Sequence, residues 1–224
     1  MDDAARTEQD RLLGIMRDEL YVPVVSDVLD SLGFLNQAMD ERLRPLAPQM
    51  RLVGRAHTVM TADIYERGED PYRSEIEAVD ALKPGDIMVA DTNRSARTCF
   101  WGELLSTAAV ARGALGCAID GHTRDALRIM EMGFPLFCTG FRPVDSSYRG
   151  TVVGHGLPVQ VGGVVVRPGD IIFGDYDGIV VVPAAQLAEV VKLAHAKVTS
   201  ENASRDMLRE GAYLRDVYDR FGVL

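Results

Sequence analysis

The chain has 224 residues, of which 47% are hydrophobic and 25% are charged, and its formal net charge is -9. This acidic balance disfavours a nucleic-acid-binding surface, because phosphate contacts need clustered lysine and arginine, so we expect no nucleic-acid partner. The length suffices to bury a large core as one domain. The three cysteines form no CxxC pair, which fits a reducing compartment.

The N-terminal segment MDDAARTEQDRLLG is acidic and polar, whereas a signal peptide begins with a basic stretch followed by an apolar one. No apolar run along the chain is long enough for a membrane span. We therefore expect a cytoplasmic protein without a membrane partner.

The first third of the chain predicts three helices and one strand. Leu12, Met16 and Leu20 recur at helical spacing, and Pro23 interrupts that pattern. Gly33 closes a second, shorter apolar segment. The predicted elements are, in order, a helix over residues 4–20, a helix over residues 24–32, a strand over residues 51–62, a loop over residues 63–73 and a helix over residues 74–82.

Two similar segments lie 84 residues apart: LKPGDIMVAD at residues 82–91 and VRPGDIIFGD at residues 166–175. Each places proline and glycine at the two central positions of a type II turn, directly before an apolar strand. A duplicated functional site is one interpretation, but a repeated turn-and-strand unit is the simpler one. We interpret both copies as structural.

The remainder of the chain predicts alternating helices and strands. Residues 92–100 are predicted to form a polar loop, and the glycine-punctuated valines of residues 157–182 predict antiparallel strands. The pattern as a whole predicts one α/β domain spanning residues 1–224, with helices at both ends. The other predicted elements are a helix from Gly102, a strand over residues 114–119, a turn over residues 120–123, a helix over residues 126–132 ended by Gly133, a strand over residues 135–140, and a long helix from Pro183.

Residues 102–125, GELLSTAAVARGALGCAIDGHTRD, carry the candidate site. A helix begins near Gly102, where unpaired N–H groups attract anions, and a buried strand then leads to Arg124 and Asp125. The ends of such strands are where α/β sheets usually bind ligands, so we predict a site for a small anion and a metal ion. Two simpler roles remain open: Arg124 in an ion pair with Asp120 or Asp125, and Asp125 as the cap of the helix that follows.

The motifs GELL (residues 102–105), IDG (residues 119–121) and Arg124-Asp125, with LKPGDIMVAD before them and LPVQVGGVVVRPGDIIFGDYDGIVVVP (residues 157–183) after them, resemble the regulator-of-ribonuclease-activity-A-like (RraA-like) family. That family includes the 4-hydroxy-4-methyl-2-oxoglutarate and 4-carboxy-4-hydroxy-2-oxoadipate aldolases. The resemblance covers roughly residues 20–210. It implies a single compact α/β domain in which helices layer a central mixed sheet, similar to the swivelling phosphohistidine domain.

The resemblance also implies a metal site. The aspartate that matches Asp125 is the direct protein ligand of Mg²⁺ or Mn²⁺ in these aldolases, and water and substrate take the other positions. Glu103 would contact metal-bound water, and Glu201 would reach the same water shell from a neighbouring subunit of a homotrimer or hexamer. The simpler role for Glu201 is a helical pair with Arg205.

The implied activity is that of a divalent-metal-dependent lyase that cleaves 4-hydroxy-2-oxo acids to pyruvate and also decarboxylates oxaloacetate. Arg124 would stabilise the enolate oxygen, metal-bound water beside Glu103 would be the base, and His122 would tune specificity or act as an acid. One alternative is a non-catalytic protein that inhibits an RNA-degrading enzyme, and another is a related 2-oxo-acid or sugar-acid lyase. The predicted substrate-binding residues are Gly102, Glu103, Leu104, Leu105, His122 and Arg124.

Overall fold

The structure is a computed structural model that describes residues 3–222, with the side chains described from residue 6 onward. These residues divide into two compact units. A helical unit comprises the chain up to Leu35 and from Ala185 onward, and a sheet unit comprises residues 36–184. Each unit is described by itself below, and the expectation of one domain stays a prediction.

The helical unit is held together by α6, against which α1, α2 and α7 pack. The face of α6 that was predicted to be apolar is the buried one, at Leu187, Val190, Val191 and Ala194. Pro23 lies in the first turn of α2 and is compatible with the helix there, because the first N–H groups of a helix need no intrahelical partner. The helices are α1 (Asp3–Glu19), α2 (Val22–Ser31), α6 (Leu187–Arg209) and α7 (Leu214–Phe221), and a 3-10 turn (Ala184–Gln186) precedes α6.

One expectation for this unit was wrong in detail, and one helix was not predicted. The C-terminal helix begins at Leu187, since the residues after Pro183 first form the 3-10 turn. The helix α7 was not predicted at all, although Val217 is buried within it. Its apolar residues Leu214, Val217, Tyr218 and Phe221 do recur at helical spacing, so the sequence pattern was sufficient to predict this helix.

The sheet unit contains an eight-stranded mixed sheet centred on β2. The strands β2, β3, β5 and β7 run parallel, while β12 pairs antiparallel with the first part of β2 and β9 pairs antiparallel with its last part. The core strands are buried along most of their length, as their continuous apolar runs predict. The strands are β1 (Arg44–Pro45), β2 (Leu52–Asp63), β3 (Asp86–Asp91), β5 (Gly116–Ile119), β7 (Leu136–Cys138), β9 (Gly150–His155), β12 (Ile171–Asp175) and β13 (Gly178–Val182).

Both Pro-Gly segments form turns, and the two turns lie on either side of the same part of β2. Gly85 and Gly169 have φ values of +86° and +85°, the left-handed conformation that a type II turn requires at its third position. The Gly85 carbonyl accepts the N–H of Arg55, and the Asp170 carbonyl accepts the N–H of Ala56. The two segments therefore start the strands on either side of β2, which supports a structural role.

Two smaller sheets and three helices complete the sheet unit. The predicted loop over residues 92–100 and the predicted turn over residues 120–123 each end in a short strand. These strands were not predicted, because a strand of two or three residues is too short to show an alternating pattern. No helix in the described part of the chain is long and apolar enough to cross a membrane. The remaining elements are β4 (Cys99–Trp101), β6 (His122–Thr123) and β8 (Gly140–Phe141) in one sheet, β10 (Val159–Val161) and β11 (Val164–Val166) in another, and α3 (Arg73–Asp80), α4 (Glu103–Ala111) and α5 (Ala126–Met132).

Candidate functional site

The short parallel strands β4 and β6 bring the start of α4 and the start of α5 together. Strand β4 ends at Trp101, directly before Gly102 and α4, and β6 ends at Thr123, directly before Arg124 and Asp125. The backbone N–H of Arg124 donates to the Trp101 carbonyl at 3.0 Å, and this bond fixes the two helix starts side by side. The predicted convergence of these residues is therefore what the structure shows.

The residue at position 102 must be glycine, because the side chain of Asp125 lies very close to its backbone. A Cβ atom built on Gly102 would lie 2.8 Å from Asp125 Oδ2 and 3.3 Å from Arg124 Cγ. Any larger residue would have to push these two side chains away. The glycine thus belongs to the packing of the site and not only to the start of the helix.

Asp125 has a left-handed backbone, with φ of +58° and ψ of 26°. Its carboxylate makes no capping bond to its own helix α5. Its Oδ2 accepts instead the backbone N–H of Glu103, at the start of α4, at a distance of 3.2 Å. The interpretation of Asp125 as the cap of the following helix is therefore wrong. A non-glycine residue in this conformation costs on the order of 1 kcal/mol, and such strain tends to occur at functional sites.

Arg124 is held by a carboxylate that sequence analysis did not consider. Its Nη1 lies 2.9 Å from Asp145 Oδ1, whereas its Nε lies 3.8 Å from Asp125 Oδ2. The expected alternative partner, Asp120, is buried; its Oδ2 lies 3.6 Å from Arg94 Nε and accepts the N–H of Gly162. The Arg124 side chain remains 38% exposed, and a guanidinium carries five N–H donors, so donors remain for a ligand.

The carboxylate of Asp145 is fixed by several donors. Its Oδ2 accepts the Tyr72 hydroxyl and the backbone N–H of Ser147. Burial alone would raise the pKa of Asp145, but the hydrogen bonds from Tyr72 and Ser147 lower it to about 2. The Arg124 guanidinium acts in the same direction. Asp145 is therefore ionised throughout the neutral range and orients Arg124.

Glu103, Leu104 and Leu105 form the first turn of α4. The first intrahelical bond is donated by the N–H of Ser106, so the N–H groups of Leu104 and Leu105 precede it and point out of the helix start. The Glu103 carboxylate accepts the hydroxyl of Thr107 at 3.1 Å, one turn further along the same helix. Glu103 is thus linked to Asp125 through its backbone, whereas its side chain follows α4.

A cavity of about 340 Å³ opens beside these groups. Arg124 and Asp125 also line a second cavity of about 450 Å³, together with Phe141 and Arg142. These two residues therefore border both cavities. The first cavity adds two acidic side chains, Glu75 and Asp145, that sequence analysis did not single out. Its polar and charged lining residues are Tyr72, Glu75, Arg124, Asp125, Asp145 and Ser146, and the rest of its lining is Ile76, Cys99, Phe100, Trp101, Gly102, Leu104 and Leu105.

His122 is not among the described residues that line either cavity. Its ring packs on Gly140 of β8, where an added Cβ would lie 3.2 Å from His122 Cδ2. Its Nδ1 is buried without a hydrogen-bond partner in the described part of the chain. This position gives no support to the predicted contact with substrate.

Glu201 lies on α6 in the helical unit, apart in sequence from the residues above. Its carboxylate accepts the hydroxyl of Tyr21, and burial raises its pKa. Arg205 donates to Asn202 and not to Glu201, so the helical pair that was the simpler alternative is not formed as a hydrogen bond. The role of Glu201 across a subunit interface stays a prediction.

The donor set fits Mg²⁺ or Mn²⁺ only with help from water and ligand. Within residues 3–222, no three His, Cys, Asp or Glu side chains cluster as a metal site. The Asp125 side chain is 43% exposed, and its contacts with Arg124 and Glu103 both use Oδ2, which leaves Oδ1 for a cation. Mg²⁺ keeps several waters and often takes one or two carboxylates, and Mn²⁺ also suits oxygen ligands.

Comparison with known proteins agrees with this architecture. The sequence model of the family described as Aldolase/RraA matches residues 22–181. A protein of Halalkalibacterium halodurans named "Putative 4-hydroxy-4-methyl-2-oxoglutarate aldolase" is 31% identical over 179 residues, which are 80% of this chain and 80% of that protein. Protein DlpA of Legionella pneumophila is 27% identical over 197 residues, or 88% of this chain; the chain spans only 32% of DlpA.

A solved structure extends the likeness to the whole fold. Streptomyces coelicolor RraAS2, described as an unusual member of the RNase ES inhibitor RraA protein family, has a TM-score of 0.80 and 29% identity; the match covers 88% of this chain and 98% of RraAS2. The predicted mixed α/β fold is confirmed by this likeness. With most of its length matched by the family model, the chain belongs to the Aldolase/RraA family.

Proposed function

We propose that the chain is a divalent-metal-dependent lyase that cleaves 4-hydroxy-2-oxo acids, such as 4-hydroxy-4-methyl-2-oxoglutarate, to pyruvate. The observation that carries the proposal is the placement of Arg124 and Asp125 beside the start of α4, in a cavity of about 340 Å³. The names of relatives from Halalkalibacterium and other bacteria point the same way. Oxaloacetate decarboxylation would be a side activity, since it passes through the same enolate.

In this proposal, some residues bind the substrate and others stabilise the negative charge that develops as it is cleaved. The N–H groups of Leu104 and Leu105 bind the C1 carboxylate of the substrate, where the helix start favours negative charge. Asp125 would hold a Mg²⁺ or Mn²⁺ ion, which would supply Lewis-acid polarisation at the substrate carbonyl. As the C3–C4 bond breaks, its electron pair forms the enolate, and Arg124 stabilises the oxygen on which negative charge grows.

Gly102→Ala is expected to lower kcat/KM for pyruvate release by up to about 10²-fold, because displacing a catalytic group by about 1 Å has such an effect. The added methyl group would meet Asp125 Oδ2 at 2.8 Å and shift it. Gly14→Ala is the matched control, because nothing lies within 4 Å of its added Cβ. Equal activity of the two variants would show that the close approach at Gly102 does not matter.

The proposal includes a homotrimer or hexamer in which Glu201 of one subunit completes the site of another. Glu201→Ala and Arg124→Ala chains should each be nearly inactive alone. When the two are unfolded together and reassembled, some interfaces contain an intact Arg124 and an intact Glu201, and activity should return. No return of activity in mixed oligomers, with mixing verified by mass spectrometry, would remove Glu201 from the site.

A regulatory role is the second candidate, because RraAS2 is described within a family of ribonuclease inhibitors and this chain has a net charge of -9. Such a protein would bind its ribonuclease without any turnover. Two assays separate the candidates: pyruvate release from a panel of 4-hydroxy-2-oxo acids and oxaloacetate, and inhibition of RNA cleavage. A lyase releases pyruvate with added Mg²⁺ or Mn²⁺, whereas a regulator inhibits cleavage and releases none.

A further inference from the structure

Glu75 lines the same cavity as Arg124 and Asp125 but has no part in the scheme above. It lies in the first turn of α3, and its Oε2 accepts the hydroxyl of Ser146 at 3.0 Å. Within the described residues Glu75 forms no ion pair. The one arginine that lines this cavity, Arg124, pairs with Asp145 instead. A half-buried carboxylate that faces a largely apolar cavity and has a single neutral hydrogen-bond donor is unusual for a purely structural residue.

Retro-aldol cleavage needs a base for the C4 hydroxyl proton, and the cavity contains three carboxylates that could serve. Asp145 is paired with Arg124 and accepts the Tyr72 hydroxyl, so it is a weak base. Asp125 accepts the N–H of Glu103 and is the proposed metal ligand. Glu75 is the carboxylate that neither a cation nor a backbone N–H engages.

We propose that Glu75 is the general base that accepts the C4 hydroxyl proton of the substrate, an inference that rests on the proposed function. The Glu75 carboxylate takes the proton, and the O–H electron pair forms the new C4 carbonyl. The C3–C4 bond breaks, and its electrons become the C2–C3 double bond of the pyruvate enolate. The enolate takes a proton from water at C3, and protonated Glu75 returns its proton to water.

The charged surroundings of Glu75 suit this role. The pKa of Glu75 is raised from 4.5 to about 7. Burial is the largest cause and the charge of Asp145 adds to it, whereas the Ser146 hydroxyl and the Arg124 guanidinium act in the opposite direction. Among the other groups that line the cavity, Asp125 is the remaining carboxylate, Tyr72 donates its hydroxyl to Asp145, and Cys99 donates its thiol to the Arg142 carbonyl. Two elements pack on α3: α4 lines the cavity with Leu104 and Leu105, and β9 brings one titratable side chain, His155, which stacks on His57. A base that titrates near the working pH is the most effective one.

The sharpest test compares two reactions at one site, because oxaloacetate has no C4 hydroxyl proton to remove. Glu75→Gln is expected to lower kcat for 4-hydroxy-2-oxo acid cleavage by about 10²- to 10⁴-fold, the range for loss of a general base. Oxaloacetate decarboxylation should fall by less than about tenfold, since its enolate needs only Arg124 and the metal ligand. Glu77→Gln, on the exposed side of α3, is the matched control for both reactions.

The pH profile gives a second readout that a structural role would not change. The kcat/KM of cleavage should rise with pH around the Glu75 pKa, and Glu75→Gln should remove that rise. Ser146→Ala should move the rise to higher pH, because the Ser146 hydroxyl stabilises the charged carboxylate. This variant also serves if Glu75→Gln does not fold.

A third readout, the pH dependence of the melting temperature, does not depend on enzyme activity. Because folding raises the pKa of Glu75 from 4.5 to about 7, the folded state binds its proton more tightly than the unfolded chain. Its stabilising contribution is present below 4.5 and is lost as the pH rises through 7. The melting temperature of the wild type should therefore fall more than that of Glu75→Gln between about pH 5 and about pH 8.

The outcomes separate the two proposals. Selective loss of cleavage in Glu75→Gln with decarboxylation retained supports the base. Equal loss of both reactions in a folded variant, or a pH profile that Glu75→Gln leaves unchanged, overturns the base but leaves the lyase intact. A wild-type protein that cleaves none of the 4-hydroxy-2-oxo acids overturns both.

Discussion

Arg124→Lys is expected to lower kcat for pyruvate release by about 10²-fold or more, the scale at which one transition-state donor contributes. Lysine keeps the charge but has no planar fork of N–H donors. In the structure, Arg124 uses Nη1 for Asp145 while its other donors remain available. A lysine ammonium ion drawn to Asp145 would leave the enolate oxygen without its donor.

Arg112→Lys, at the exposed end of α4, is the matched control, since Arg112 pairs with Asp80 away from the cavity. The KM of Arg124→Lys should change less than its kcat, because the lost contact strengthens in the transition state. Near-normal turnover in Arg124→Lys would remove Arg124 from the mechanism.

Asp125→Asn is expected to abolish both activity and the response to Mg²⁺ or Mn²⁺. The substitution is conservative for the backbone, because asparagine tolerates the left-handed conformation that Asp125 adopts. Its amide oxygen can also accept the N–H of Glu103, as the carboxylate does now. What is lost is the negative charge that a hard cation requires.

The melting temperature in metal-free buffer distinguishes a ligand from a structural residue. Asp125→Asn should keep it close to the wild-type value, whereas Asp125→Ala should lower it, since alanine loses the bond to Glu103 and disfavours a φ of +58°. Metal-stimulated activity in Asp125→Asn would refute the ligand role.

Periodicity and turn chemistry predicted most of the fold. The buried face of α6 from Leu187 to Ala194 followed from helical spacing, and both Pro-Gly turns followed from the conformations these residues prefer. The bounds of α5 agreed as well, because Gly133 ends the helix in a left-handed conformation. These features depend on local sequence, which is why they could be predicted without a structure.

The candidate site could be predicted only in part. Gly102, Arg124 and Asp125 lie within one continuous motif, so their proximity was predictable. Asp145 and Glu75 enter the site from distant segments through tertiary packing, and nothing in their local pattern separates them from surface carboxylates. The left-handed conformation of Asp125 was also missed, because a non-glycine residue adopts it only when surrounding contacts enforce it.

We expect this chain to release pyruvate from a 4-hydroxy-2-oxo acid only when a divalent cation is bound at Asp125. The most direct measurement follows pyruvate by coupling to lactate dehydrogenase, with 4-hydroxy-4-methyl-2-oxoglutarate and chelator-treated protein. No pyruvate release is expected until Mg²⁺ or Mn²⁺ is added; either ion should restore release in the wild type, and neither should restore it in Asp125→Asn. Release that persists without metal, or equal release by Asp125→Asn, would rule out a metal requirement at Asp125.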